Sequence, residues 1–361
     1  ADLALTLREQ AAGHPRRKDC LREIERGESM HLRAAERLQQ GRDGDAMTLS
    51  LDLRRHWQRV FGMLQRPRPG EWRAVWDHHG TGWAPGHWNA TCRELKRAGI
   101  TAVLPNMLND GIAHYPSRVL APSRTYETFG DQIDQCLRAA RRTGMEVHVW
   151  KVCWKTYGAP AELVERWKRE GRLQKDRFGD TLPWLDPAHP ANRESALRSI
   201  EEIVRRYDVD GIHLDYIRYP NADAGTTDFA RTAFERAAGR AVENWPDDAA
   251  PGGPDWPDFN RWRADRITTF VADVRRLLRD IAPDVQLSAA VFGGYPKCVE
   301  TVAQDWGQWL ERDLVDFLCP MSYTDDLEEF IGWTSSQLAL PNARGRIRPG
   351  IGVTATGLSL G

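Results

Sequence analysis

The run DGIHLDYIRYP, from Asp210 to Pro220, sets a carboxylate, an imidazole, a guanidinium and two phenols at the end of one apolar stretch. Its alternation predicts a strand over Asp210–Ile217. His213, Asp215 and Ile217 share one face; Ile212, Leu214 and Tyr216 share the other. Pro220 closes the run, because proline cannot continue a central strand. An aspartate at a strand end either caps a neighbouring segment or does acid–base or nucleophilic work. Buried charge is costly unless it is used or paired, so His213 beside Asp215 favours work.

Such a strand end needs a scaffold that gathers others around it. From Glu71 onward, strand-like and helix-like stretches alternate. Strands are predicted at Arg73–His78, Ile100–Asn106, Glu146–Cys153, Asp210–Ile217, Val285–Phe292, Val315–Tyr323 and Arg346–Val353. Between them, residues such as Leu197, Ile200, Ile203, Val204 and Tyr207 fall at helical spacing. This alternation predicts an α/β fold with a parallel sheet. A (β/α)8 TIM-type barrel fits better than a doubly wound sheet. No glycine-rich phosphate loop follows the first strand, and polar residues recur at strand ends. Too few residues follow Val353 for a helix and a strand, so the barrel is expected without its eighth strand. Residues 1–70 are rich in Arg, Glu, Leu and Ala at helical spacing and end in RPRPG. The expected organisation is a helical N-terminal extension over 1–70 and a C-terminally incomplete barrel over 71–361.

Lys and Arg number 50 against 51 Asp and Glu, a net charge of -1, which offers no field for nucleic acid or a membrane surface. No apolar stretch approaches the roughly 18 residues of a membrane span. The six cysteines lie singly, without zinc-type spacing, and read as small buried hydrophobes. The 15 tryptophans are the compositional outlier. An electron-rich ring suits the C–H face of a sugar as well as it suits a core.

Taken in order, RAVWDHHGTGW, GITAVLPNML, VHVWKVCW, WLDPAHPANRE, DVDGIHLDYIRYP, LSAAVF, QDWGQWLERDLVDFLCPMSY and PGIGV resemble the glycosyl hydrolase-like 10 family over about residues 71–354. The resemblance implies a (β/α)8 barrel acting on glycosidic bonds, mostly exported from bacteria, with one branch linked to peptidoglycan glycan strands. The family's fourth-strand motif commonly reads F-D-D-Y-x-Y-P. Here it reads L-D-Y-I-R-Y-P, so Asp215 matches the first acid and Tyr216 stands in place of the second.

Glycoside hydrolysis usually needs two carboxyl groups, about 5–5.5 Å apart for retention and about 6.5–9.5 Å for inversion. Asp215 is the first candidate, as general acid or nucleophile. Asp77 and Asp325 are the leading candidates for the second; Asp186 in WLDP and Asp326 are others. Asp186 could instead start the loop before the next helix, and Asp325 or Asp326 could cap one. Candidates for holding sugar are His78, His79, Asn106, Trp150, Lys151, Trp184, Asp186, His213, Tyr216, Arg218 and Tyr323. As neighbours, His78 and His79 point to opposite sides, so at most one faces a barrel mouth. With His148 and His213 they suggest a metal centre, but no H-x-H marks the first strand, and hydrogen bonding fits them better. Arg218 would hold Asp215 ionised, bind an anionic group, or sit in a structural ion pair.

The favoured reading is an exported glycoside hydrolase acting on a bacterial or environmental polysaccharide, with no cofactor and no metal. Its rivals are a carbohydrate-binding barrel without turnover and a metal-dependent deacetylase-like hydrolase. The expected partner is a poly- or oligosaccharide, and the expected location is outside the cytoplasm.

Overall fold

The structure, a computed structural model, describes residues 2–65, 70–83, 85–324 and 326–351. The chain forms two units, one up to Glu71 and one over Trp72–Gly352. The first holds three helices, Asp2–Ala11, Arg17–Gln39 and Asp43–Leu64. Leu7, Ala11, Cys20, Ile24, Val60 and Leu64 give it a small core of its own.

The second unit is a barrel of the TIM type. Its parallel strands run in chain order: β1 (Ala74–Asp77), β2 (Ala102–Leu108), β3 (Glu146–Val152), β4 (Gly211–Asp215), β5 (Gln286–Phe292) and β6 (Phe317–Met321). Each pairs with the next in parallel register. The helices between them pack apolar faces on the sheet. Helix Gln132–Thr143 buries Ile133, Cys136, Leu137 and Ala140. Asp131 caps its start by accepting the Asp134 N–H at 3.1 Å, and Gly144 ends it at φ 62°. This ordering turns every carboxyl strand end to one face, which is the face that carries chemistry in such barrels.

The seventh predicted strand, Arg346–Val353, is reduced to two parallel bridges, Leu318 with Ile347 and Met321 with Gly350. Its residues 352 and 353 lie outside the described residues. Gly350 is required where it is, because a Cβ would stand 2.7 Å from the Trp76 ring. Among the described residues there is no eighth barrel strand. Two additions carry no clear signal in the sequence. A short pairing of Ile112–Ala113 with Ala121–Pro122 extends from β2, and an antiparallel hairpin joins Leu173–Lys175 to Thr181–Leu185.

The predicted strand over 210–217 stops at Asp215. Tyr216 takes the left-handed region, φ 53°, and breaks the ladder there. A residue with a Cβ pays roughly 1–2 kcal/mol for that conformation. The Asp215 carboxylate offsets part of it by accepting the Tyr216 N–H at 2.6 Å.

Candidate active site

The strand ends enclose a cavity of about 330 Å³. The structure brings His78, Asn106, Trp150, Asp215, Tyr216, Arg218 and Tyr323 to its wall. They follow or end β1, β2, β3, β4 and β6, so five strands contribute to one mouth. The Asp215 backbone is pinned from β3's side, its carbonyl accepting the Cys153 N–H at 2.8 Å.

Asp215 is 6% exposed, and burial pushes its carboxyl up to about 6. The Tyr216 N–H, the Arg218 charge and the Trp150 indole each oppose that rise without cancelling it. Burial disfavours the anion because a low-dielectric wall solvates charge poorly. A carboxyl poised there can hold a proton and release it near pH 6, as a general acid must. The buried Trp150 indole N–H is close enough to favour the Asp215 anion but makes no hydrogen bond of full geometry among the described residues, which leaves it able to donate to a bound hydroxyl. His78 lies edge-on to the Trp150 ring, with centroids 4.9 Å apart. The Tyr323 phenol is pushed up to about 12, by burial first and then by the Asp215 charge, and so stays a neutral donor. Asn106 donates to the His78 carbonyl at 3.4 Å.

Trp76 lines the cavity and its indole N–H donates to His213 Nε2 at 3.0 Å. An indole can only donate, so Nε2 must be unprotonated and Nδ1 carries the hydrogen. Nδ1 then donates to Ser288 Oγ, 2.9 Å away. Burial, and then the neighbouring His148, lower the His213 pKa to about 3, so the ring is neutral. The structure therefore places His213 beneath the cavity rather than on its wall.

Other predicted residues lie elsewhere. Lys151 points away from the cavity, because Trp150 and Lys151 are strand neighbours and take opposite faces. Its Nζ is ion-paired with Asp110 at 2.6 Å, both side chains about fully buried. Asp110 also accepts the Trp154 N–H at 2.5 Å. Asp77 spends its carboxylate on the following turn, accepting the His79 N–H at 3.2 Å and the Gly82 N–H at 2.7 Å. His79 is exposed and off the cavity wall. Asp186 is buried and accepts from the Ala188 N–H at 2.8 Å and Thr227 Oγ at 2.7 Å; burial pushes it up to about 6. Trp184 sits off the wall, its ring 5.6 Å from that of Tyr216. Asp326 caps helix Leu327–Leu338 by accepting the Glu329 N–H. Asp325 lies outside the described residues. Among the described residues, then, Asp215 is the single carboxylate on the cavity wall. No three His, Cys, Asp or Glu side chains among them cluster as metal ligands would.

Sequence reasoning missed Trp76, Asn109, Lys155 and Tyr157, which also line the cavity. Trp76 shares a strand face with His78, a signal that was available. Lys155 arrives through a turn at Trp154, φ 65°, which no periodicity announces. A larger groove of about 580 Å³ runs between Arg118–Ala121 and the helices Ala161–Arg169 and Pro190–Arg206. It carries arginines and glutamates but none of the predicted strand-end residues, so the smaller cavity is the candidate site.

Known proteins resemble this chain in sequence and in fold. Glycosyl hydrolase DigH of Escherichia coli K12 is 25% identical over 266 residues, covering 63% of this chain and 56% of that protein. Glycosyl hydrolase YngK of Bacillus subtilis is 20% identical over 263 residues, covering 64% and 47%. An S-layer-related protein of Niallia circulans is 33% identical over 116 residues, 29% of this chain and 7% of that one. The chain thus spans about half the length of these relatives or less. Among solved structures, the PgaB (BpsB) glycoside hydrolase domain from Bordetella bronchiseptica superposes with a TM-score of 0.62 at 14% identity, over 77% of this chain and 83% of that domain. The GH42 β-galactosidase Gan42B from G. stearothermophilus gives 0.51 at 13%, over 73% and 42%. The glycosyl hydrolase-like 10 model matches residues 72–342, and the chain belongs to that family.

Proposed function

We propose that the barrel is a glycoside hydrolase with Asp215 as its proton donor. One observation carries the reading. A buried carboxyl whose pKa lies near 6 stands at the carboxyl end of β4, in a cavity lined by aromatic and hydrogen-bonding side chains. Trp76, Trp150 and Tyr216 offer faces and edges for sugar rings, and Asn106, Tyr323 and the Trp150 N–H offer hydrogen bonds to hydroxyls. Asp215 would give its proton to the glycosidic oxygen as the C–O bond to the leaving sugar breaks; water would then bond to the anomeric carbon and return a proton to the Asp215 carboxylate. The substrate on this reading is a poly- or oligosaccharide met outside the cytoplasm. The partial match to an S-layer-related protein supports that location. Among the described residues no helix is long and apolar enough to cross a membrane.

A second reading has its own support. With Asp77 and Asp186 tied into loops, Asp215 has no described carboxylate facing it, as a binding barrel without turnover would also have. A glycan library screened for new reducing ends separates the two. Product from one glycan, absent with Asp215→Asn, supports hydrolysis. Glycan binding with no product from the wild type supports the binding barrel.

A further inference from the structure

Arg218 and Lys155 are cations that, among the described residues, form no salt bridge. The Arg218 guanidinium carbon lies 4.8 Å from the Tyr216 ring centroid, 5.4 Å from that of Trp184 and 4.8 Å from that of Phe292. Lys155 Nζ lies over two of the same rings, 5.0 Å from Tyr216 and 5.4 Å from Trp184. Both line the cavity. Among the described residues the Arg218 guanidinium makes one hydrogen bond, donating to the Tyr219 carbonyl at 3.3 Å, and its buried Nε has no partner. Neither residue has a carboxylate within ion-pairing distance among the described residues.

What separates Arg218 from the structural arginines Arg275 and Arg263 is its place on the cavity wall and its sparser guanidinium bonding. Arg275 makes a two-pronged contact to Asp316, at 2.8 and 2.9 Å. Arg263 is also stacked on rings, Tyr219 and Trp256, but it lies off the cavity wall and donates to two carbonyls, those of Asn221 and Ala222. Asp215 does not play that part for Arg218. It accepts the Tyr216 N–H, and its pKa remains raised in spite of the nearby guanidinium. Stacking on an aromatic face is worth about 0.5–2 kcal/mol per cation and offsets part of the cost of drawing the charge from water. It also leaves the in-plane N–H edge of a guanidinium free, the edge that matches an oxyanion. Two like charges on one pair of rings repel, and an anion between them removes that repulsion.

We propose that Arg218 and Lys155 form a subsite for an anionic substituent, a carboxylate or a sulfate ester, on the sugar bound next to Asp215. The inference rests on the carbohydrate reading of the same cavity and adds the class of sugar. Tyr216 supplies the shared platform, and its left-handed backbone is what carries both it and Arg218 to the cavity wall.

The test is calorimetric binding of three probes to the full chain: a tetrasaccharide of glucuronic acid, its carboxyl-reduced counterpart, and the sulfate ester of that counterpart. At least one anionic probe should bind about 10- to 100-fold more tightly than the neutral one, as expected for charge-assisted hydrogen bonds. Comparison of the uronate and the sulfate shows which anion the subsite takes. Lys155→Gln, at a partly exposed position, and Arg218→Lys, which keeps charge but loses the fork, should each reduce that preference by about 5-fold or more with the fold intact by circular dichroism. Equal affinity for all three probes, no binding of any, or a preference unchanged in both variants overturns the subsite. The outcomes separate from those of the hydrolase reading. An anion preference without product from any glycan removes hydrolysis alone. Product from a neutral glycan without anion preference removes this inference alone.

Discussion

The Trp76 indole N–H donates to Nε2 of His213 at 3.0 Å, joining β1 to β4 although the two strands are not neighbours in the sheet. The bond crosses the barrel interior directly below the cavity, and Ser288 on β5 continues it. On the proposed reading of the cavity, His213 acts on the site through Trp76, as a positioning residue. His213→Leu leaves the half-buried Trp76 indole N–H without its acceptor, which should cost about 0.5–1.5 kcal/mol of unfolding free energy. A tilted Trp76 should also lower kcat/KM by about 10- to 100-fold, since small displacements of a binding wall misalign the reacting atoms. His213→Gln, which can present an acceptor, should recover part of both. Denaturant unfolding and kinetics on the three proteins check this; full activity in His213→Leu would contradict it.

Lys151 and Asp110 form a buried pair away from the cavity. Lys151→Met strands the Asp110 carboxylate, and breaking one half of a buried pair costs about 3–5 kcal/mol. The folded fraction should keep its kcat and KM. A collapse of kcat at unchanged stability would move Lys151 into the site.

The contrast between Trp150 and Lys151 shows how far the sequence is legible. The alternation in EVHVWKV locates β3 and its polar end, but two adjacent residues cannot both face inward, and parity alone does not say which one does. β1 to β6 and their order follow from apolar periodicity and from the breakers between helices and strands. The end of β4 does not, because Tyr216 leaves the strand conformation at a residue type that favours strands. Lys155 was illegible for the same kind of reason: it reaches the cavity after the positive φ of Trp154, a tertiary outcome without periodic signal. Asp77 and Asp186 look catalytic in sequence because a loop-capping aspartate and a reacting one have the same residue type and the same place after a strand. Only the N–H groups they accept from tell them apart.

Burial raises the Asp215 pKa to about 6. The protonated form is the one that donates to a leaving oxygen, so kcat/KM should fall about tenfold per pH unit above that value. A pH profile on any accepted glycan checks it, and a rate that rises through pH 6–8 would assign Asp215 the ionised role instead.

The same shift has a stability sign. A carboxyl whose folded pKa exceeds its unfolded value destabilises the fold when ionised, fully above pH 6 and not at all well below pH 4. Asp215→Asn keeps an oxygen for the Tyr216 N–H and removes the charge. It should therefore stabilise the protein at pH 7.5 by up to about 3 kcal/mol and leave it unchanged near pH 3. Chemical denaturation at the two pH values measures the difference; destabilisation at pH 7.5 would mean that the ionised carboxylate is structural.

The central claim is that Asp215 transfers the proton. Turnover and glycan affinity of folded Asp215→Asn, on one glycan that the wild type cleaves, test it most directly. The amide keeps the shape and the aromatic walls but cannot give up the proton, so affinity should stay within about tenfold while turnover falls by about 10²–10⁴. Turnover close to wild type would remove Asp215 from the chemistry and leave it as the cap that ends β4.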